Sequence, residues 1–211
     1  AFERRVIKEG KTGTGAQPGQ AKPGHIRNLD SVSDEVRLKK VDFDTRYESD
    51  FEALAELGLN SYRFSLSWAR LFPRADMTEP DPAGITFYRE VIAAAKKNGL
   101  KPHVSLFHFS TPEWFWEEQG GEQGWERKDA LQHWNRYVTA VSELLGPEIS
   151  HWCTLNEPMV YVLWGYLEGI FPPLQQRANP EATAPVVARL LEAHASAYQI
   201  LHRDAAQRHQ S

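Results

Sequence analysis

At 211 residues, with 41% hydrophobic and 25% charged residues, the chain has the make-up of a globular protein with room for a large core. A formal net charge of −4 offers nothing to a nucleic acid or an anionic membrane surface, and no apolar run nears the ~18 residues that would span a bilayer. The single cysteine excludes an internal disulfide framework and, with no signal peptide expected in the charged opening Ala1 to Lys11, favours a cytoplasmic setting.

Phe2, Val6 and Ile7 at helical spacing predict a short opening helix over 1–10. The Gly- and Pro-rich stretch Gly10 to Gly24 then reads as a loop. Its Gly10-Lys11-Thr12 imitates the end of a phosphate-binding loop, but Arg5 stands where that motif needs its first Gly, so we reject it. Asp34 to Asp44 is polar and reads as surface. Tyr47, Phe51, Leu54 and Leu57 predict an amphipathic helix closed by Gly58, followed by a strand from Asn60 to Ser65. Gly84 to Asn98 is the next helix, and Lys101 to Phe107 the next strand. The pair repeats as a helix from Asp129 to Leu145 and a strand from Ser150 to Leu155. A last helix, Ala184 to Gln207, carries Val187, Leu190, Leu191, Ala195, Tyr198 and Leu201 as its expected buried stripe.

Three helix–strand repeats in a row argue for a parallel sheet with helical crossovers. A doubly wound sheet would fit the alternation too. Its Gly-rich turn belongs between an early strand and helix, whereas here the Gly-rich segment precedes the first clear strand, so an α/β barrel is preferred. In such an array reactive residues gather where strands end. Arg63 lies near one strand end, His108 just past the second, and Asn156 and Glu157 past the third. Each has a plain alternative: a structural salt bridge for Arg63, a satisfied core imidazole for His108, a turn-forming Asn, a surface Glu. Three polar placements at equivalent positions favour a site. His103 has no such support. His194 and His202 are too far apart on one helix to share a metal, and nothing else has ligand spacing, so neither metal nor cofactor is expected. Of the seven Trp, Trp114, Trp116, Trp125 and Trp134 fall close together, where packing is the first reading and a sugar platform the second.

Three stretches occur in order: Tyr62-Arg63-Phe64-Ser65-Leu66-Ser67-Trp68, Leu106-Phe107-His108-Phe109, and Trp152-Cys153-Thr154-Leu155-Asn156-Glu157-Pro158. Together they resemble the family 1 glycoside hydrolases, the β-glucosidase family, whose acid/base Glu lies in a Thr-x-Asn-Glu-Pro signature. The resemblance runs from about Asp44 to Pro173. It implies a (β/α)8 TIM barrel, of which this chain supplies roughly half: strands 2 to 4 and their helices, behind a loop-rich segment over 1–43. It also implies a retaining β-glycosidase, most simply a β-glucosidase. Glu157 would be the general acid, then the base that activates water, and Arg63 would pair with the catalytic nucleophile and hold it ionised. His108 would bind sugar hydroxyls and Asn156 the sugar's 2-hydroxyl. An Arg inside an apolar strand is expected to be buried, which would demand a carboxylate partner. Trp164, in Trp164-Gly165-Tyr166, resembles the family's loop beyond the acid/base strand and would line the aglycone side.

One departure governs the rest. A retaining glycosidase needs a second carboxylate about 5–5.5 Å from the acid. The family supplies it from a Thr/Ser-Glu-Asn-Gly signature, and no such motif occurs here. The expected partners are therefore a small carbohydrate substrate and the missing half of the barrel. The alternative is a truncated, non-catalytic fragment that binds carbohydrate or a partner. Phe109 and Met159, where many relatives carry other aromatics, leave the aglycone preference open, whereas retention of Glu157 argues against a thioglucosidase.

Overall fold

The structure, a computed structural model, describes residues 42–118 and 120–210. The expectations for the opening helix, the Gly-rich loop and most of the polar stretch before Asp44 lie outside these residues. In chain order the elements are α1 (Phe43–Glu56), β1 (Ser61–Ser65), α2 (Trp68–Leu71), α3 (Pro82–Lys97), β2 (Lys101–Phe107), α4 (Ala130–Leu145), β3 (His151–Leu155), α5 (Pro158–Val162) and α6 (Ala184–Gln210). The three strands are parallel and hydrogen-bonded in the order β1-β2-β3. Ser61 pairs with Lys101 and Ser65 with Ser105; His103 then pairs with His151 and Phe107 with Leu155.

Local chemistry sets the boundaries. Gly58 and Gly99 close α1 and α3 at φ of 79° and 72°, a backbone that only glycine adopts without strain. At the start of α3 the Asp81 carboxylate accepts from the Gly84 amide at 3.0 Å, filling one of the helix's orphan donors. Strand alternation then divides the sheet. Phe64 and Val104 are buried on the helix side, while Arg63, Ser65, His103, Ser105, His151 and Cys153 share the other face by register. On that polar face the His103 and His151 rings meet at 4.2 Å between centroids.

The tryptophan cluster is core. Trp114, Trp116, Trp125 and Trp134 are all buried, as is Trp68, whose ring stacks on Tyr137 at 5.3 Å and meets Phe115 at 5.0 Å. Two of their indole N–H groups bridge to distant carbonyls: Trp114 donates to that of Phe72 at 2.8 Å and Trp134 to that of Ala193 at 2.8 Å. The segment before α4 is pinned by Arg127, buried and bidentate to Asp129 at 2.8 Å through each nitrogen. That contact holds the Asp129 carboxyl below its usual range, while burial lowers the neighbouring His133.

Three expectations are corrected. Leu57 caps α1 and is 77% exposed, because the helix ends before its face returns to the core. On α6 the buried stripe is Val186, Leu190, Ala193, Ala197, Ile200 and Leu201, whereas Leu191, Ala195 and Tyr198 face outward. The small residues Ala193 and Ala197 bring α6 close enough to α4 for the Trp134 bond, and that approach decides which face turns in. Finally, Trp164-Gly165-Tyr166 is no loop: α5 runs on into a π-helical turn, Leu163–Leu167. Among the described residues no helix is long and apolar enough to cross a membrane.

Candidate active site

The sheet ladder continues past the strands at their C-terminal ends. The Leu66 amide donates to the Ser105 carbonyl at 2.9 Å, and the Asn156 amide donates to the Phe107 carbonyl at 2.8 Å. This second bond docks Asn156 against the last residue of β2, one position before His108. Asn156 is buried and Glu157, next along, is exposed. Pro158 disfavours the right-handed helical conformation at Glu157, which instead adopts φ 43°, ψ 56° and turns the chain sharply from β3 into α5. Phe109, beside His108, has a φ of 68°. Left-handed conformations at non-glycine residues cost on the order of 1–3 kcal/mol each and persist where the surroundings hold them.

Arg63 reaches across the sheet. Its Nη2 donates to Asn156 Oδ1 at 2.6 Å and lies 3.6 Å from Cys153 Sγ. Strands two apart are separated by about 9.6 Å, so only a long side chain crossing a small residue can make this bridge. Ser105, in register between Ser65 and Cys153, is that small residue. Within the described residues the Arg63 side chain is exposed and makes no ion pair with a carboxylate. Its place on the polar face, which no apolar layer covers, explains both. One amide oxygen occupies part of the guanidinium fork and leaves other N–H donors free.

His108 lies beside these groups. Its Nδ1 sits 3.1 Å from Ser65 Oγ at the end of β1. Partial burial lowers the imidazole pKa, the Arg63 charge lowers it further, and the Glu157 carboxylate opposes them. Arg63 bonds Asn156, Asn156 docks on the residue before His108, and Glu157 follows Asn156 directly, so the ends of all three strands meet. The four residues singled out in the sequence are thus together.

Two contacts carry no sequence signal: Ser65 with His108 at this site, and, on the helix-facing side of β3, His194 of α6 with Thr154 at 2.7 Å between Nδ1 and Oγ1. Both join residues remote in sequence, so no local pattern announces them. Around the rim, Phe109 stacks on Tyr161 at 5.7 Å and meets Phe171 at 6.0 Å, and Phe171 meets Trp164 at 6.4 Å. Met159 is 59% exposed next to Glu157. Among the described residues no three His, Cys, Asp or Glu side chains gather as a metal site.

The chain is similar to known proteins. The profile of glycosyl hydrolase family 1 matches residues 23–210. Coniferin beta-glucosidase of Pinus contorta is 35% identical over 210 residues, which covers 94% of this chain and 39% of that protein. Beta-glucosidase 42 of Arabidopsis thaliana is 36% identical over 133 residues, covering 63% of this chain and 26% of its own. Among solved structures, a beta-glycosidase from Pyrococcus horikoshii superposes with a TM-score of 0.69 at 36% identity, over 80% of this chain and 40% of that one. A beta-glucosidase from Thermotoga maritima, in complex with a methoxycarbonyl-substituted glucoimidazole, gives 0.69 at 29% identity over 77% and 36%. These structures are TIM barrels, and the three-stranded sheet here is part of one. The chain spans no more than about two-fifths of the length of these relatives.

Proposed function

The chain belongs to glycosyl hydrolase family 1, and on that premise we propose that it is the acid/base-bearing part of a retaining β-glycosidase, of the β-glucosidase kind. The observation that carries this is the meeting of three strand ends: Glu157 and Asn156 from β3, Arg63 from β1 and His108 from β2. In this reading residues 1–211 are one partial catalytic domain, and the remaining barrel units come from elsewhere in a longer chain or from another polypeptide.

Cleavage of a glycosidic bond needs a proton on a poor leaving group. Glu157, exposed at the strand end, gives its proton to the glycosidic oxygen as the aglycone departs. The same carboxylate then takes a proton from the water that attacks the anomeric carbon of a covalent glycosyl-enzyme. The nucleophile for the first step is a carboxylate about 5–5.5 Å away, supplied by the absent units. Arg63, with donors free beyond its bond to Asn156, is placed to hold that carboxylate ionised. Asn156 and His108 hydrogen-bond the sugar, and a bond to the 2-hydroxyl strengthens as positive charge builds on the ring. Trp164 lines the aglycone side.

Leaving-group chemistry tests the assignment. In the complete protein, Glu157→Gln should slow hydrolysis of alkyl β-glucosides far more than that of an activated aryl β-glucoside, which needs little protonation to depart. Equal loss on both substrates would remove Glu157 from the acid role. A second reading, a non-catalytic fragment that binds carbohydrate through its aromatic rim, is favoured by one observation: the sequence has no second carboxylate motif. Turnover of a chromogenic aryl β-glucoside by the complete protein rules it out.

A further inference from the structure

Resting on that reading of the site, we propose that Ser65 is a positioning residue: it holds His108 as the neutral Nε2–H tautomer, so that the ring faces the sugar as a hydrogen-bond donor. Ser65 ends β1, and its Oγ lies 3.1 Å from His108 Nδ1, across 43 positions of sequence. A hydroxyl carries one proton, and Nδ1 is the acceptor that this one meets among the described residues. Ser105, its neighbour in register, turns its own hydroxyl to the Phe107 carbonyl at 3.4 Å and does not compete. If Ser65 donates, Nδ1 must present its lone pair, and a neutral ring then carries its proton on Nε2. The same surroundings lower the imidazole pKa: desolvation and the Arg63 guanidinium act against protonation, with Glu157 opposing.

The consequence is a division of labour. Asn156 gives its oxygen to Arg63, so its amide N–H2 is what it can offer substrate. With the Ser65 bond made, His108 also offers an N–H. Asn156 and His108 then both present N–H donors to the sugar. A ring in the opposite tautomer would offer a lone pair at Nε2 instead and would reward a different orientation of the sugar hydroxyl.

The test is to read the His108 ring nitrogens directly by long-range 15N–1H correlation in the complete protein, near pH 8 where an imidazole is neutral. The expected pattern is Nε2–H in the native protein, a shift toward the mixed tautomers of free imidazole in Ser65→Ala, and retention in Ser65→Thr, which keeps the hydroxyl on a strand-compatible side chain. Alongside, kcat/KM on an aryl β-glucoside should fall roughly tenfold in Ser65→Ala and recover in Ser65→Thr, the loss of one hydrogen bond. An Nδ1–H pattern in the native protein, or an unchanged tautomer in Ser65→Ala, overturns the proposal whatever the activity. Nε2–H in a protein that cleaves no β-glycoside supports the Ser65 assignment and overturns the glycosidase reading, so the two fail separately.

Discussion

Arg63 holds Asn156 from two strands away, and the reach of that side chain determines what a substitution there does. Lysine keeps the charge but loses the planar fork, so one ammonium cannot serve Asn156 and an incoming carboxylate together. Hydrogen bonds to charged groups are worth about 1.5–3 kcal/mol, which converts to roughly a 10- to 100-fold fall in kcat/KM for Arg63→Lys in the complete protein. Native kinetics in that variant would detach Arg63 from the chemistry. Glu157, Asn156, Arg63 and His108 were legible in the sequence because each sits in a short motif at a strand end, and strand ends are where barrels do chemistry. Ser65 and His194 were not, since what they do is touch residues 43 and 40 positions away.

Between β2 and α4 the chain builds a small aromatic body that carries the rim. Trp116 bonds Thr111 at 2.7 Å and meets Tyr166 of the π turn at 6.4 Å between ring centroids, so it links this segment to the helix that follows Glu157. Gly124 makes that position possible. Its φ is +61°, and a Cβ there would lie 2.1 Å from Trp116 Cζ3. Gly124→Ala therefore combines backbone strain with overpacking against a ring that has no free direction, at a cost of about 2–4 kcal/mol. Thermal unfolding of the complete protein should shift down by several degrees, with activity at low temperature falling as the rim loosens. A native melting curve would show that Trp116 can move aside, and with it the claim that this body is rigid. At this scale the helices and strands were readable from apolar period and glycine stops. The orientation of α6 was not. Leu191 and Tyr198 look like core residues in a list of hydrophobicities, whereas Ala193 and Ala197 look neutral. Packing reverses the order, because close approach to α4 selects small side chains and leaves the large ones outside.

Over the whole molecule, the sheet is open at both edges: β1 and β3 each pair on one side only among the described residues. Unpaired strand edges are templates for association. Outward-facing apolar side chains add to this, with Leu191 63%, Met159 59%, Tyr198 54% and Leu163 40% exposed on α5, its π turn and α6. In the solved relatives a comparable segment accounts for 36–40% of the chain, and the rest of each barrel is built by the remainder. The polar face with Arg63, His103 and His151 makes the same demand from inside: three groups able to carry positive charge share one register row and lack an opposing acid among the described residues. The 24.1 kDa chain purified alone should therefore run in size-exclusion chromatography with light scattering as oligomers or aggregates, and turn over no aryl β-glucoside. Adding a polypeptide that supplies the complementary barrel units should restore both a discrete mass and hydrolysis, since one addition closes the sheet edges and brings the second carboxylate. A monodisperse, folded monomer at 24.1 kDa would refute this, because a chain that satisfies its own edges has no need of the missing units.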